Sequence, residues 1–307
     1  MLSAREAAAA LTRGFERAGV EAELVPVADG GEGTLEALQQ TLGGQWRTTM
    51  VADPLGRPVE ARWLLLPDGR AVVESAEALG LSRLAPTERD PLRASSRGLG
   101  ELLAAAVAAP VAGLVVALGG TATVDGGAGL REVPVVLPDD ATMIMCDVMA
   151  PLLGPRGAAR AYGPQKGATP AQVEELERRL ASTEELRPFA DLPGAGAAGG
   201  LGAAFAALGG RLVPGAEHVL EALDFRARVR GAALVVTGEG TVDETTAEGK
   251  APAAVVRVSR EEGVRCVVFG GRVAAPLPGA EMRELSGDPA QARRDLAALG
   301  EELARSL

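Results

Sequence analysis

Apolar runs broken by glycine, proline and acid-bearing turns set the rhythm of this chain. Alanines and leucines recur at helical spacing in SAREAAAALTRGFERAG, where Ser3 and Glu6 predict a capping box and Gly19 a stop. AELVPV (22–27) is a continuous apolar run of strand length, predicted as a buried strand. A Gly-rich loop follows, then a helix from Thr34 to Leu42 stopped by Gly43 and Gly44. WRTTMV, VEARWLLL and AVVESA, separated by Pro54-Leu55-Gly56 and Pro67-Asp68-Gly69, predict a β-rich stretch with tight turns. An Ala-rich helix is predicted over 92–109, and GLVVAL (113–118) reads as a buried strand running into GGTATVDGGAG. VPVVLP and TMIMCDV predict two more strands, 150–170 a loop, 170–186 a charged helix and 199–208 a Gly/Ala-rich helix.

The last third alternates more regularly. ALVVTG predicts a strand, GEGTVDETTAEGK a loop, APAAVVRVSREE a helix with Pro252 in its first turn, VRCVVFGG a strand, and 289–307 a closing helix. Strand-loop-helix alternation implies an α/β fold with a parallel sheet covered on both faces. The β-rich middle departs from that pattern and reads as a second α/β domain (45–227) inserted into the first (1–44 and 228–307).

With 307 residues, 47% of them hydrophobic, the chain has material for a substantial core. Its net charge of −10 and 3% aromatics argue against nucleic-acid binding, since phosphates are repelled and stacking platforms are scarce. Cys146 and Cys266 lie in apolar runs and read as buried hydrophobes rather than a disulfide or metal site. No leader-type apolar segment and no run of about 20 apolar residues is visible, so a cytoplasmic protein without membrane partners is expected. Of the 31 basic residues only Lys166 and Lys250 are lysines, each in a Gly-flanked polar loop. A compact ammonium and a planar guanidinium contact a phosphate oxygen differently, which marks both as candidates.

Four Gly-rich loops carry acids: Val27–Thr34, Gly119–Gly129, Cys146–Val148 and Thr237–Lys250. Open α/β sheets bind ligands beyond the carboxyl ends of their strands. Glycines there let backbone amides approach an anion, and a following helix adds its positive end. Carboxylates in the same loops would repel a bare phosphate but suit one accompanied by Mg²⁺. Gly-Asp-Gly strings are also plain turn signals; their recurrence at several strand ends favours a ligand site. GAGAAG (194–199) follows Asp191-Leu192-Pro193 rather than a strand, which removes the dinucleotide reading, and no Walker A sequence is present. His218, the sole histidine, sits in an amphipathic stretch, leaving a Ser-His-Asp hydrolase or a His-based zinc site without support.

VADGGEGT, GGTATVDGGAGL, CDV with PLLGPRGA, YGPQKGATP, LPGAGAAGGLGA and TGEGTVDETTAEGKAP occur in the order found in type I bacterial glycerate kinases, so from about Ser3 to Val268 the chain resembles that family. The resemblance implies a discontinuous flavodoxin-like domain with a second α/β domain inserted, and an active site in the cleft between them. It implies phosphorylation of D-glycerate by ATP with Mg²⁺, with the 2-phospho product favoured over the 3-phospho. By resemblance, Asp29, Gly30, Gly31, Glu32, Gly33 and Thr34 line the site, with Gly119, Gly120, Thr121, Asp125 and Gly126 as another wall and Gln165 nearby. Asp147 or Asp29 would orient or deprotonate the glycerate hydroxyl, Glu239 and Asp243 would position Mg²⁺, and Lys166 and Lys250 would neutralise phosphate charge. A homodimer is compatible with this reading. Family members usually begin with a strand and an Asp-Ser-Phe-Lys-Gly segment before the part matching LSAREAA, whereas this chain starts at Met1, and the segment between Leu130 and Cys146 is shorter than usual. The missing N-terminal segment motivates one alternative, a catalytically degenerate relative that binds a small organic acid or nucleotide; a purely structural or partner-binding protein would leave the acidic loops unexplained.

Overall fold

The computed structural model describes Leu2 and residues 4–28, 30–138 and 141–307. The expected cap at Ser3 and the candidate Asp29 lie outside the described residues. In chain order the helices are α1 (Ala4–Arg17), α2 (Thr34–Leu42), α3 (Ser75–Leu79), α4 (Arg97–Ala106), α5 (Ala128–Arg131), α6 (Ala158–Tyr162), α7 (Pro170–Ser182), α8 (Ala197–Ala207), α9 (Gly215–Ala222), α10 (Phe225–Val229), α11 (Ala251–Glu261) and α12 (Ala292–Ala304). The strands are β1 (Gln45–Ala52), β2 (Pro58–Leu65), β3 (Arg70–Glu74), β4 (Gly113–Ala117), β5 (Thr142–Met145), β6 (Arg211–Val213), β7 (Val235–Val242), β8 (Cys266–Val273) and β9 (Glu281–Glu284). The mixed α/β chain forms two compact units, one contiguous (Asp29–His218) and one built from both ends (Met1–Ala28 with Val219–Leu307).

The contiguous unit holds a six-stranded sheet in the order β1-β2-β3-β4-β5-β6. The first three strands pair antiparallel and the last four run parallel. Between β1 and β2, Asp53 Oδ1 accepts the amides of Leu55 (2.8 Å) and Arg57 (2.9 Å), and Gly56 takes a φ of 86°, so the side chain itself builds the turn. β4 is buried along its whole length, the signature of a parallel strand covered on both faces. Leu99, Leu102 and Leu103 of α4 pack with Leu114, Val116, Ile144 and Phe205 in one apolar cluster, and Leu176 and Leu180 of α7 with Ala159 and Ala203 in another. Because the connections are crossovers, the chain leaves β3, β4, β5 and β6 at the same edge, after Glu74, Ala117, Met145 and Val213.

The discontinuous unit holds a parallel sheet in the order β7-β8-β9. There α1 and α12 cross at two glycines: a Cβ on Gly14 would stand 2.1 Å from the Ala297 carbonyl oxygen, and one on Gly300 2.3 Å from that of Leu11. Leu11, Phe15, Val267, Leu299 and Leu303 fill the space beside the crossing. Between α1, residues 20–27 and β7 lies a cavity of about 620 Å³, lined by Leu11, Phe15, Val25, Val27, Val236 and Phe269 among others.

Several expectations are corrected. Residues 22–27 are not a strand: the run is extended-type in composition, but no ladder bonds it, and β7 pairs on one side only, with β8. VPVVLP (133–138) is likewise without strand structure, and Val136 is 85% exposed. The long helix begins at Arg97 rather than 92, because residues 90–94 form a turn in which Asp90 accepts the amides of Arg93 and Ala94. The segment from Glu239 to Val242 is not loop but the end of β7, with Thr241 and Val242 in register with Arg272 and Val273. The Gly/Ala-rich helix has left-handed Ala198, Gly199 and Gly200 inside its first turn.

Candidate functional site

At the carboxyl edge of the parallel strands in the contiguous unit, glycines allow two of the four acid-bearing loops to meet beside the ends of β5 and β6. Gly30 has φ 83°, and a Cβ there would lie 2.8 Å from the Gly215 Cα and 2.9 Å from the Met145 Cβ. A Cβ on Gly119 would lie 2.9 Å from the Gly31 Cα. One on Gly120 would lie 3.2 Å from a Glu32 carboxylate oxygen. Main chain therefore approaches main chain between the loops after residue 29, after β4 and after β5 and β6, which only glycine permits. Within the first loop, Thr34 Oγ1 donates to the Gly31 carbonyl at 2.8 Å, and Gly33 (φ 94°) is the left-handed N-cap of α2.

Gly33 has no side chain to cap that helix, and the cap comes from elsewhere. Glu74 at the end of β3, 3% exposed, accepts the Leu35 amide at 2.7 Å and also the Gly33 amide. Burial pushes its carboxyl up to about 7, with the charges of Glu36 and Glu77 adding and the two amides opposing. The next residue, Ser75, is fully buried; its Oγ donates to the Gly119 carbonyl (3.0 Å) and accepts the Gly119 amide (3.1 Å). The sequence reading passed over both, treating AVVESA as strand. The available signal was an acid closing a run whose Ala71, Val72 and Val73 are wholly buried, where an ionisable side chain is rare without a task.

The second loop is braced from inside. Lys166, 4% exposed, donates from Nζ to Thr123 O (2.7 Å) and Thr121 Oγ1 (3.1 Å) and lies 6.0 Å from the centre of the Tyr162 ring. Burial lowers its ammonium to about 7, against the opposing pull of Asp125. The expectation was a lysine facing phosphate, whereas the structure holds this one beneath Thr121 and Thr123. Asp125 is taken up in the same way: it accepts Ser96 N (2.8 Å), Ser96 Oγ (2.7 Å), and the amides of Gly127 and Gly129 (3.1 Å each). Four donors match the roughly four lone-pair sites of a carboxylate. Gly126 (φ 57°) turns the chain beside it. Gln165 is exposed, and its carbonyl oxygen accepts Arg89 Nη1 at 3.4 Å.

Asp147 follows β5 and is half-buried. Its two oxygens accept the amides of Gly215 (2.7 Å) and Ala216 (2.9 Å), the first residues of α9. Helix N-termini were expected to offer amides to a ligand anion. Instead the carboxyl groups of Glu74, Asp125 and Asp147 already accept amides at the starts of α2, α5 and α9.

The fourth loop belongs to the discontinuous unit. Glu239 on β7 accepts the Thr246 hydroxyl and lies 3.6 Å from Lys250 Nζ, at the N-cap of α11. The Asp243 amide donates to Thr246 Oγ1 at 3.0 Å and the Thr246 amide returns a bond to the Asp243 carbonyl, closing the turn that follows Asp243. Among the described residues no group of three or more His, Cys, Asp or Glu side chains gathers into a metal cage. No helix of the described residues is long and apolar enough to cross a membrane.

Residues 1–134 and 131–287 match the glycerate kinase family. The chain is 38% identical to glycerate kinase of Halalkalibacterium halodurans, over 88% of this chain and 82% of the relative. It is also 38% identical to glycerate 2-kinase of Escherichia coli, over 85% and 79% respectively. Among solved structures, a glycerate kinase 2 of Salmonella typhimurium LT2 superposes with a TM-score of 0.79 at 33% identity, covering 99% of this chain and 94% of the other.

Proposed function

The chain belongs to the glycerate kinase family and is an enzyme that phosphorylates glycerate, and we propose that it transfers the γ-phosphoryl group of ATP to the 2-hydroxyl of D-glycerate with Mg²⁺. One observation carries the site assignment: the loops after residue 29, after β4 and after β6 come together at one sheet edge, beside the end of β5, through close glycine contacts. Phosphoryl transfer needs positioned donors and charge more than covalent work by the protein, and such a backbone-built surface supplies fixed positions.

Gly30, Gly31, Glu32, Gly33, Thr34, Gly119, Gly120 and Thr121 are the proposed substrate and nucleotide contacts. Asp147, oriented by two amides, or Asp29 is the proposed acceptor of the glycerate hydroxyl proton. Asp125 and Lys166 serve as braces of the second loop, since their polar atoms already bond within the protein. Glu239 and Asp243 are the proposed magnesium ligands. Two carboxylates fit an ion that takes its remaining oxygens from phosphates and water, and Mg²⁺ would offset the charge of the transferring group. Lys250, beside Glu239, is the proposed partner of the phosphates. A cytoplasmic location and a homodimer complete the reading. The degenerate alternative is not favoured, because three relatives at 36–38% identity over most of the chain carry kinase names.

The test is purified protein with ATP, Mg²⁺ and either enantiomer of glycerate, with ³¹P NMR reading the product. ATP consumption that requires D-glycerate and Mg²⁺ and gives 2-phosphoglycerate is expected. Binding by calorimetry without turnover would restore the degenerate reading, and 3-phosphoglycerate as product would overturn the regiochemistry.

A further inference from the structure

We propose that Glu74 and Ser75 form a bracket that sets the relative position of two site loops, the turn at Gly33–Leu35 and the turn at Gly119, and that both are positioning residues for glycerate phosphorylation. This rests on the kinase reading of those loops. Adjacent residues at the end of one buried strand reach in different directions. Glu74 holds the first turn through the Leu35 and Gly33 amides. Ser75 holds Gly119 through both its carbonyl oxygen and its amide. Gly119 in turn has room for only a hydrogen against Gly31. The three points form a closed circuit: β3 fixes each loop, and the loops fix each other.

The chemistry suits the task. A serine hydroxyl that donates to and accepts from one residue locks that peptide on both sides. A carboxylate at the N-cap of a helix whose own cap is glycine supplies a bond that Gly33 lacks. Both side chains are buried, so neither contacts solvent or a substrate directly. The charged groups acting on Glu74 are Glu36 of α2 and Glu77 of α3, each of which pairs with Arg62 of β2 at 2.7 Å.

Misplacing a reacting group by about 1 Å is worth on the order of 100-fold in rate. Ser75→Ala and Glu74→Ala, which remove the hydrogen-bonding groups, should each lower kcat by about 10-fold or more, with KM for glycerate and ATP changing less than about threefold, as expected for a loss felt in the transition state. The double variant should lose less than the product of the two single losses, because the residues work as one unit. Backbone amide NMR gives a readout independent of turnover. In the wild type the Gly33 and Leu35 amides should shift with a common midpoint near the value of about 7 that burial gives Glu74, and Glu74→Gln should abolish that titration. Ser75→Ala should displace the Gly119 and Gly31 amides together. If wild type turns over and both variants keep kcat within twofold, the bracket is overturned while the kinase reading stands. If wild type shows no turnover, the kinase reading falls and the amide shifts still decide the bracket. Amides that ignore the substitutions overturn it. Should Glu74→Ala fail to fold, Ser75→Ala alone reads both kcat and the Gly119–Gly31 coupling.

Discussion

In the contiguous unit β4 is buried at every residue and has a strand on each side, whereas β7 of the discontinuous unit is largely half-exposed and pairs only with β8. The first sheet converts each strand end into a fixed point: Glu74, Gly119 and Asp147 are all hydrogen-bonded to another loop or helix. The second sheet ends at β7, and beyond that edge lies the cavity in front of residues 20–27. A crowded parallel sheet therefore supports exact loop placement, while a sheet with an open side leaves an apolar run of strand composition without a ladder.

Substitutions should expose that difference. The largest effect is expected for Leu103→Ala, which removes a fully buried side chain of the close-packed cluster and should lower stability by about 3–4 kcal/mol in urea unfolding. An effect below about 1 kcal/mol would show the core to be looser than its burial implies. Next is the pH dependence from Glu74. Its carboxyl is raised from 4.5 to about 7 in the folded chain, so the native state binds the proton more tightly than the unfolded one. Stability from this group is complete below about pH 4.5 and is lost as pH rises through about 7, a swing of about 3 kcal/mol that Glu74→Gln should flatten. Lys166 acts above that window, since its depressed ammonium makes stability rise from about pH 7 towards its ordinary 10.5. Val25→Ala, facing the existing cavity, should lower stability by less than about 1 kcal/mol, because little packing is lost there. The smallest change belongs to Arg293→Ala. Its pair with Glu6 at 2.5 Å is 55% and 44% exposed, and thermal melting should register no more than about 0.5 kcal/mol.

Much of the fold was legible in the residues. The helix at Thr34–Leu42 was bounded by glycines on both sides and is found over the same residues, and WRTTMV, VEARWLLL and GLVVAL fall within β1, β2 and β4 with small shifts of boundary. These segments carry their instructions locally, as turn residues and apolar runs. AELVPV and VPVVLP carry the same signal yet form no strand, because a strand exists by pairing and the partner is a tertiary fact. At the site, the glycine loops were visible as sequence strings. What was invisible is which acids face inward: Asp125 looks like any loop aspartate until Ser96, 29 residues away, places two donors on it. Glu74 was hidden for the same reason, since its partner amide is 39 residues away in sequence.

The crossing of α1 with α12 carries a consequence for biosynthesis. Gly14 and Gly300 touch, so the unit that contains them is sewn from the first and last helices of the chain. Residues 29–218 are one uninterrupted stretch, complete in the order of synthesis before α12 is made. The flanking unit must wait, since nearly 300 residues separate Gly14 of α1 from its seat at Gly300. Folding order is thus written into the chain, with the loop-bearing sheet first and the discontinuous unit closing last.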